Sequence, residues 1–305
     1  MNRSPVLVVL TLAIASTGCF VDAQGRGAEG SFKRSFSVSG PLQLDVETGS
    51  GDIDIRTADT GAVVIEGRVT AGWRFWDGED AEDRVRAVQQ APPIEQTGND
   101  IRVGRGLRRN NVSISYLITV PRESRVRLRT GSGDVTVDDL QGPVTAQSGS
   151  GDIRIGRTDA DVRARTGSGD IEVEAAAGET DINTGSGDVL MRLAGTGRGE
   201  IVTGSGDVEV DGASGPLRIR TGSGAIAVDG SPVAAWDLTA GSGDLTVEVP
   251  TGVAFDVNLR TSAGGIDAPA VVTSERATRR ELRGHVGGGG PLVSMSTGSG
   301  EIRVR

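Results

Sequence analysis

The chain has very few of the residues from which most catalytic centres are built. Among its 305 residues there are one cysteine, one histidine and one tyrosine, and aromatic residues make up 3% of the composition. Zinc sites need several cysteine or histidine ligands, and nucleophilic catalysis by serine or cysteine relies on a base such as histidine. A catalytic triad would have to use His285, which we expect in a surface loop. The composition therefore predicts a protein that is not an enzyme and that holds no metal or cofactor.

Long apolar stretches are also scarce, and the one at the start of the chain is too short to span a membrane. Arg3 precedes the apolar run Val6–Ala15, a pattern that predicts an export signal over residues 1–18. The segment Ser16–Cys19 resembles a bacterial lipobox, although leucine is usual where Ser16 stands. Cleavage after Ala23 is the alternative.

Cys19 decides between these two kinds of processing. It is the only cysteine, so it cannot form an internal disulfide, and a free thiol is a liability in an exported protein. We therefore predict a lipoprotein that is anchored to the membrane through Cys19, in the periplasm or on the surface, with a secreted protein as the alternative. A flexible tether is expected over 19–31, and the net charge of −9 argues against a nucleic acid partner.

A repeated motif, Thr-Gly-Ser-Gly-Asp, dominates the rest of the chain. It is complete at five places and begins in close variants at five more: Thr48, Thr130, Thr166, Thr184 and Thr203, and Ser148, Thr221, Ala240, Thr261 and Thr297. From Thr130 the starts are spaced 18, 18, 18, 19, 18, 19, 21 and 36 residues apart, and we interpret the last interval as two periods that have lost one turn. A fixed period of this length indicates stacked repeats.

The residues on both sides of each motif alternate between apolar and polar. Apolar residues, mostly valine and isoleucine, recur two and four positions before the threonine and five and seven positions after it, as at Val126, Leu128, Val135 and Val137. This period of two indicates a short strand on each side of a turn. We expect the glycines to be needed for positive φ in that turn.

These patterns predict an all-β fold, a single parallel β-solenoid or β-helix over residues 32–305. Its coils have about 18 residues and contain two short strands each. Residues 70–93 interrupt the pattern near the N-terminal end. Ala81, Val85 and Val88 have helical spacing there, and Pro92 and Pro93 would end a short helix that caps or flanks the solenoid. Trp73 and Trp76 lie just before it, either packed beneath the helix or forming an aromatic ligand patch.

Two rows of charged side chains are candidates for a binding role. Aspartates follow the motif glycines in successive coils, and we expect each to accept hydrogen bonds within its own turn. The alternative is a calcium ladder made by Asp134, Asp152, Asp170, Asp188 and Asp207. Arginines precede the motif threonine at Arg129, Arg165, Arg220 and Arg260. They either pair with acidic residues of neighbouring coils or bind an acidic polysaccharide.

Further motifs accompany the repeated turn: Ile94–Asn99 after the helix, Tyr116–Pro121, and Val249–Thr251 with Phe255–Val257 near the end. Together they resemble the bacterial putative-adhesin domain family of unknown function, which is related to Lia-type envelope-stress accessory proteins. The resemblance covers roughly residues 32–305. It implies a β-solenoid at the cell envelope and brings no catalytic residues.

We therefore predict a non-enzymatic envelope protein whose solenoid surface serves as an adhesin, a binding module or a scaffold, with an envelope protein or a glycan as partner. Two alternatives remain. One is a polysaccharide-acting enzyme, because β-helices host such enzymes, although the short turns here offer little from which to build a cleft. The other is a scaffold that assembles through its coil ends.

Overall fold

The computed structural model describes residues 20–21, 27–72, 81–105, 112–269 and 272–305. The predicted export signal, Cys19, Trp73 and Trp76 lie outside these residues. Two sheets face each other, and 14 strands of the described chain belong to each. The order of neighbours in the first sheet is β1 (Phe20–Val21), β2 (Gly27–Ser37), β5 (Ala62–Gly72), β8 (Val112–Pro121), β4 (Ile53–Ala58), β10 (Val135–Val137), β12 (Ile153–Thr158), β14 (Ile171–Ala176), β16 (Val189–Leu193), β18 (Val208–Ala213), β20 (Ile226–Gly230), β22 (Leu245–Glu248), β28 (Ile302–Val304) and β24 (Ile266–Asp267).

The second sheet holds the strand that precedes each motif turn. Its order is β25 (Val272–Ala277), β26 (Glu281–Val286), β23 (Phe255–Ala263), β27 (Leu292–Ser299), β21 (Trp236–Ser242), β19 (Leu217–Ser223), β17 (Gly199–Ser205), β15 (Thr180–Thr184), β13 (Val162–Thr166), β11 (Val144–Gln147), β9 (Arg125–Thr130), β3 (Gln43–Thr48), β7 (Asp100–Val103) and β6 (Ile94–Thr97).

Successive coils stack in register with parallel pairing. In the first sheet Ile153 pairs with Ile171, and in the second sheet Ala146 pairs with Ala164, so residues at equal motif positions become neighbours. Adjacent strands of a sheet lie roughly 4.8 Å apart, which sets the rise per coil. The predicted parallel solenoid with two strands per coil is confirmed.

The core lies between the sheets and consists of the four predicted apolar columns. Leu128, Ile171, Val173 and Trp236 represent them, and each is at most 2% exposed. Full burial of such a side chain contributes about 1.5–3 kcal/mol. Ile266 is only half-buried because β24 is the outermost strand of the first sheet. Aliphatic side chains fill almost all of this thin core, which explains how the fold manages with so few aromatic residues.

An antiparallel cap covers the N-terminal end of the stack. Strands β2, β5 and β8 pair antiparallel, and β8 then pairs parallel with β4 of the first coil. The first coil still stacks directly on the coil that begins at Arg125, because Thr48 pairs with Thr130. Strands β6 and β7 form an antiparallel hairpin that turns at Thr97–Asp100, with Gly98 at φ +63°.

Helix α1 (Ala81–Gln90) packs on β2 and β5 within the predicted insertion 70–93. Ala81, Val85 and Val88 are buried as their spacing predicts, and the helix ends before Pro92, since proline lacks the N–H that a helix needs. The expected tether is too long by five residues, because β2 already begins at Gly27. Gly30 belongs to this strand because a Cβ there would lie 2.5 Å from Cγ1 of Val85. The glycine therefore lets the helix approach, and does not mark a flexible linker.

The C-terminal coil does not occupy the end of the stack. Strand β27 pairs parallel with β21 on one side and with β23 on the other, so the last coil is inserted between two coils that precede it in sequence. Residues 272–286 form the antiparallel hairpin β25–β26, whose strand β26 pairs with β23. Our interpretation of the 36-residue interval as two periods with one lost turn is wrong, because its middle is a hairpin outside the coil stack.

Within the described part of the chain, no helix is long and apolar enough to cross a membrane.

Candidate functional site

The motif threonine connects one coil to the next. From Thr130 onward this side chain is buried, and its hydroxyl donates to the carbonyl oxygen of the second motif glycine in the neighbouring coil. Thr166 Oγ1 donates to Gly151 O at 2.8 Å, and Thr184 Oγ1 donates to Gly169 O at 2.9 Å. The serine variant does the same, since Ser148 Oγ donates to Gly133 O at 2.9 Å. Sequence periodicity did not reveal this role, although a hydroxyl residue at nearly every motif start was a signal for it.

The motif glycines allow the turns to stack closely. A Cβ at Gly167 would lie 2.3 Å from the carbonyl oxygen of Gly149, and one at Gly169 would lie 2.2 Å from that of Gly151. Only the second glycines of four coils, Gly224, Gly243, Gly264 and Gly300, have positive φ among the motif glycines that the structure describes. Our expectation of a general need for positive φ is therefore wrong. Contact with the backbone of the coil below is what excludes a side chain.

The aspartates form a ladder between coils. The backbone N–H of Asp152 donates to Oδ1 of Asp134 at 2.9 Å, and that of Asp188 donates to Oδ1 of Asp170 at 2.9 Å. The ladder continues where the next residue is not aspartate, because Ala225 N–H donates to Asp207 Oδ1 at 2.7 Å. The expectation that each carboxylate accepts within its own turn is wrong, since the parallel register places the N–H of the next coil within hydrogen-bond distance of Oδ1.

The described residues contain no cluster of side chains that supports the calcium alternative. Across residues 27–72, 81–105, 112–269 and 272–305, no three His, Cys, Asp or Glu side chains lie close enough together to hold a metal ion. The ladder carboxylates of Asp134, Asp152, Asp170, Asp188 and Asp207 instead use Oδ1 to hold the neighbouring coil.

The four predicted arginines lie on the outer face of the second sheet, and three of them have acidic partners on other strands. Arg129 is 3.7 Å from Asp45, Arg165 is 2.7 Å from Asp181, and Arg260 is 3.3 Å from Glu281. Arg220 is exposed and makes no ion pair with any residue that the structure describes. Such exposed pairs contribute little to stability, about 0–1 kcal/mol each.

Sequence reasoning missed the concentration of arginine on two nearby strands of this face. Strand β9 carries Arg125, Arg127 and Arg129, and β13 carries Arg163 and Arg165. Strand β11 lies between them and contributes only Thr145 and Gln147 to the outer face. The signal was present as the alternation Arg-x-Arg-x-Arg at 125–129, which places all three guanidinium groups on one face.

His285 lies within strand β26 and not in the surface loop in which we expected it. In the strand register it lies between Asp256 of β23 and Thr273 of β25. No hydrogen bond joins its ring to either side chain within the described structure. The arrangement lacks the contacts by which a histidine base is oriented.

Among the described residues of the cap, Tyr116 is the one aromatic side chain with a buried polar group. It packs edge-on against Phe32, with ring centroids 6.5 Å apart, and its hydroxyl has no hydrogen-bond partner among the described residues. Burial raises the pKa of Tyr116 well above its ordinary value. This group therefore stays neutral and has a structural role in the cap.

Three solved structures resemble the chain weakly. A "putative adhesin" from Bacteroides fragilis NCTC 9343 has 15% identity and a TM-score of 0.45, with 90% of this chain and 97% of that chain covered. A "putative adhesin" from Parabacteroides distasonis ATCC 8503 has 12% identity and a TM-score of 0.29, covering 90% and 97%. A "putative cell adhesion protein" from Clostridium sporogenes ATCC 15579 has 11% identity and a TM-score of 0.20, covering 90% and 98%.

No curated protein matches the chain. A family model does, over residues 37–199 and again over 160–305, and its description is Toastrack DUF4097. The two matches together cover the whole coil stack and the cap strands from β5 onward. The chain belongs to the Toastrack DUF4097 family, a family of domains of unknown function.

Proposed function

We propose that this protein is a non-enzymatic module of the bacterial cell envelope, in which a rigid solenoid presents its outer side chains to a partner. The observation that carries the proposal is the use of the motif itself. The threonine hydroxyl, both glycines and the aspartate carboxylate all hold one coil to the next, as in the contacts of Thr184, Gly167 and Asp170.

Because the motif residues are occupied in stacking, recognition falls to the outward positions of the strands. These positions differ from coil to coil, as Arg127, Thr145, Arg163 and Asp181 show along one row of the second sheet. A stack of this kind is a fixed surface on which different side chains can be placed without changing the fold. Binding sites held on such regular elements are geometrically precise.

The proposal includes membrane attachment through a lipid on Cys19, with an envelope protein or a glycan as the partner. A predicted export signal and a single cysteine near its end support this arrangement. Antiparallel strands at both ends of the second sheet support a separate module over end-to-end assembly, because β6 and β25 are edge strands that differ from a regular coil.

The test is fractionation of a bacterial host that makes the full chain, alongside its Cys19→Ala variant. We expect the wild-type chain in the membrane fraction and the variant in the soluble fraction, with an unchanged melting temperature. A mature N-terminus at Gln24 would contradict lipid anchoring. Capture of envelope components by the full chain, under conditions where neutral beads alone capture none, tests the binding role.

A further inference from the structure

One part of the outer face of the second sheet is strongly basic, although the whole chain is acidic. We name it the basic patch: Arg125, Arg127 and Arg129 of β9, with Arg163 and Arg165 of β13. The three neighbouring strands β9, β11 and β13 contain these five arginines and no acidic residue. The next three strands differ, because β15, β17 and β19 mix Asp181 and Glu200 with Arg218 and Arg220.

Most of the patch has no acidic partner. Asp45 and Glu47 on β3 and Asp181 on β15 border it. Asp45 and Asp181 form ion pairs with Arg129 and Arg165 respectively, and Glu47 stands opposite Arg129 in the strand register. Arg125, Arg127 and Arg163 are exposed and make no ion pair with any described residue. The unpaired guanidinium groups of these three arginines lie on one face of the sheet and repel one another, and an anionic ligand would relieve this repulsion.

The arrangement of these groups is extended, and they do not converge on a point. Alternate residues of a strand are roughly 6.7 Å apart, and β9 and β13 are two strand spacings, roughly 9.6 Å, apart. In the parallel register Thr145 lies between Arg127 and Arg163, and Gln147 lies between Arg129 and Arg165. Neutral hydrogen-bonding side chains therefore alternate with cations across the patch.

We propose that the basic patch binds an acidic polysaccharide whose carboxylates are distributed along an extended chain. This rests on the proposed function as an envelope binding module and names the partner of that surface. Planar guanidinium groups match carboxylates in a bidentate manner, and the hydroxyl of Thr145 and the amide of Gln147 can hydrogen-bond the hydroxyl groups of a sugar.

Two other polyanions fit the patch less well. A single phosphate group is held by donors that converge on it, whereas these arginines are spread over a flat sheet. Single-stranded nucleic acid needs aromatic side chains on which bases stack, and the patch strands contain none. The net charge of −9 repels every polyanion at long range, the acidic polysaccharide included, so that binding has to come from contacts within roughly a Debye length of 8 Å.

The experiment measures binding of the full chain to polygalacturonate, a linear carboxylated polysaccharide, by biolayer interferometry. The test variant is Arg125→Gln/Arg127→Gln/Arg163→Gln. The matched control, Arg68→Gln/Arg220→Gln/Arg279→Gln, removes the same charge from three exposed arginines that lie elsewhere and are likewise without ion pairs in the described structure. Dextran, which is neutral, and a DNA duplex are the comparison ligands.

We expect the test variant to raise Kd for polygalacturonate by about tenfold or more, equivalent to about 1.4 kcal/mol, and the control to change it by less than about threefold. Affinity should fall as salt rises from about 50 to about 200 mM, since ion pairs are screened. Equal melting temperatures exclude loss of folding as the cause.

The inference is overturned if polygalacturonate does not bind, if both variants weaken binding equally, or if dextran or DNA binds at least as tightly. If the chain is anchored and captures an envelope component but fails to bind polygalacturonate, only this inference fails. If the chain is neither anchored nor able to capture any envelope component, the proposed function fails, whatever the result with polygalacturonate.

Discussion

The carboxylate of Asp152 accepts a 3.0 Å hydrogen bond from the backbone N–H of Asp170, a residue in the next coil. The same relationship links Asp170 to Asp188 at 2.9 Å. Each aspartate therefore satisfies a backbone donor that the parallel ladder alone leaves open. The cost is a column of carboxylates at a separation of roughly 5 Å, where two unit charges repel by about 1 kcal/mol in water.

This geometry predicts opposite results for two substitutions of Asp170. Asp170→Asn keeps the acceptor and removes a charge, so we expect it to be neutral or to stabilise the fold by up to about 1 kcal/mol. Asp170→Ala removes the acceptor and should destabilise by about 1 kcal/mol. Urea unfolding of the full chain measures both.

Calcium provides the control for this pair of variants. A ligand that binds only the folded state stabilises it by about 2.7 kcal/mol at a hundredfold excess over Kd. We expect no change in melting temperature at millimolar calcium. A calcium-dependent rise that Asp170→Asn abolishes would show that the ladder binds the cation.

The motif glycines offer a matched pair at the same motif position. A Cβ at Gly167 would meet the backbone oxygen of Gly149 at 2.3 Å, whereas one at Gly49 has nothing within 4 Å. Gly167→Ala should therefore destabilise by about 2 kcal/mol or more, since the coils must move apart. Gly49→Ala should be neutral or stabilise by about 0.5 kcal/mol, because alanine restricts the unfolded chain. Similar unfolding free energies for the two variants would refute the stacking role.

Because the C-terminal coil lies between two earlier coils, a substitution near the end of the chain should also disrupt strand β23. Met295 is fully buried in β27, between Leu238 of β21 and Leu259 of β23. Met295→Asp buries a charge, so β27 should leave the sheet and β23 should lose its neighbour. Hydrogen exchange should then show lost protection in 255–263 as well as 292–299, with β9–β19 still protected.

Leu282→Asp in β26 is the control for Met295→Asp. It should remove protection only from the hairpin and the adjoining edge of β23, because β26 pairs with β23 and not with β27. Retained protection of β23 in Met295→Asp would mean that the last coil does not hold the end of the stack.

Removing the hydroxyl of Tyr116 should not lower the stability of the fold. This hydroxyl is buried without a partner among the described residues, and burial of an unpaired hydroxyl costs about 1–3 kcal/mol. Tyr116→Phe should be neutral or stabilise by about 1 kcal/mol. Trp236→Phe should instead destabilise, because Trp236 Nε1 donates to Gly215 O at 3.0 Å and the smaller ring leaves a cavity. A loss of stability in Tyr116→Phe would indicate that the hydroxyl has a partner.

The stability of the fold should depend on pH through Asp54. Burial raises the pKa of Asp54 above its ordinary value of 3.8, and Asp138 adds to the rise although Arg56 opposes it. The folded state therefore binds the proton more tightly than the unfolded state. The contribution of Asp54 to stability is complete below the unfolded pKa and is lost as pH rises through the folded pKa. As pH rises through the folded pKa, the stability of Asp54→Asn should therefore increase relative to that of the wild type. NMR titration of the Asp54 carboxyl measures the pKa shift directly. A pKa at or below 3.8 would contradict it.

The sequence by itself determined the coil and its inward face. Alternation at Val126 and Leu128, the glycine-rich turn, and alternation at Val135 and Val137 fix two strands and their buried side, because a side-chain period of two is a local property. The helix Ala81–Gln90 followed from its spacing and from Pro92. The arginine row followed as well, although the partners of Arg129 and Arg165 did not.

Only the tertiary structure decided what the motif residues contact. The hydroxyl of Thr184 and the carboxylate of Asp170 bond to other coils, about one period away in sequence. Within one turn, hydrogen-bonding groups lie only a few residues away in sequence. We therefore expected each aspartate to bond within its own turn, and the structure shows that it does not. The reason for glycine at Gly167 likewise lies in the coil below it.

The order of the last two coils was also established only by the tertiary structure. The coils of β23 and β27 carry the same columns, with Leu259 and Met295 at equal positions, so either could pair with β21 on local grounds. The hairpin β25–β26 pairs antiparallel with β23 and therefore needs a free edge of that strand. Strand β26 occupies one edge of β23 and β27 occupies the other, so the last coil separates β23 from β21.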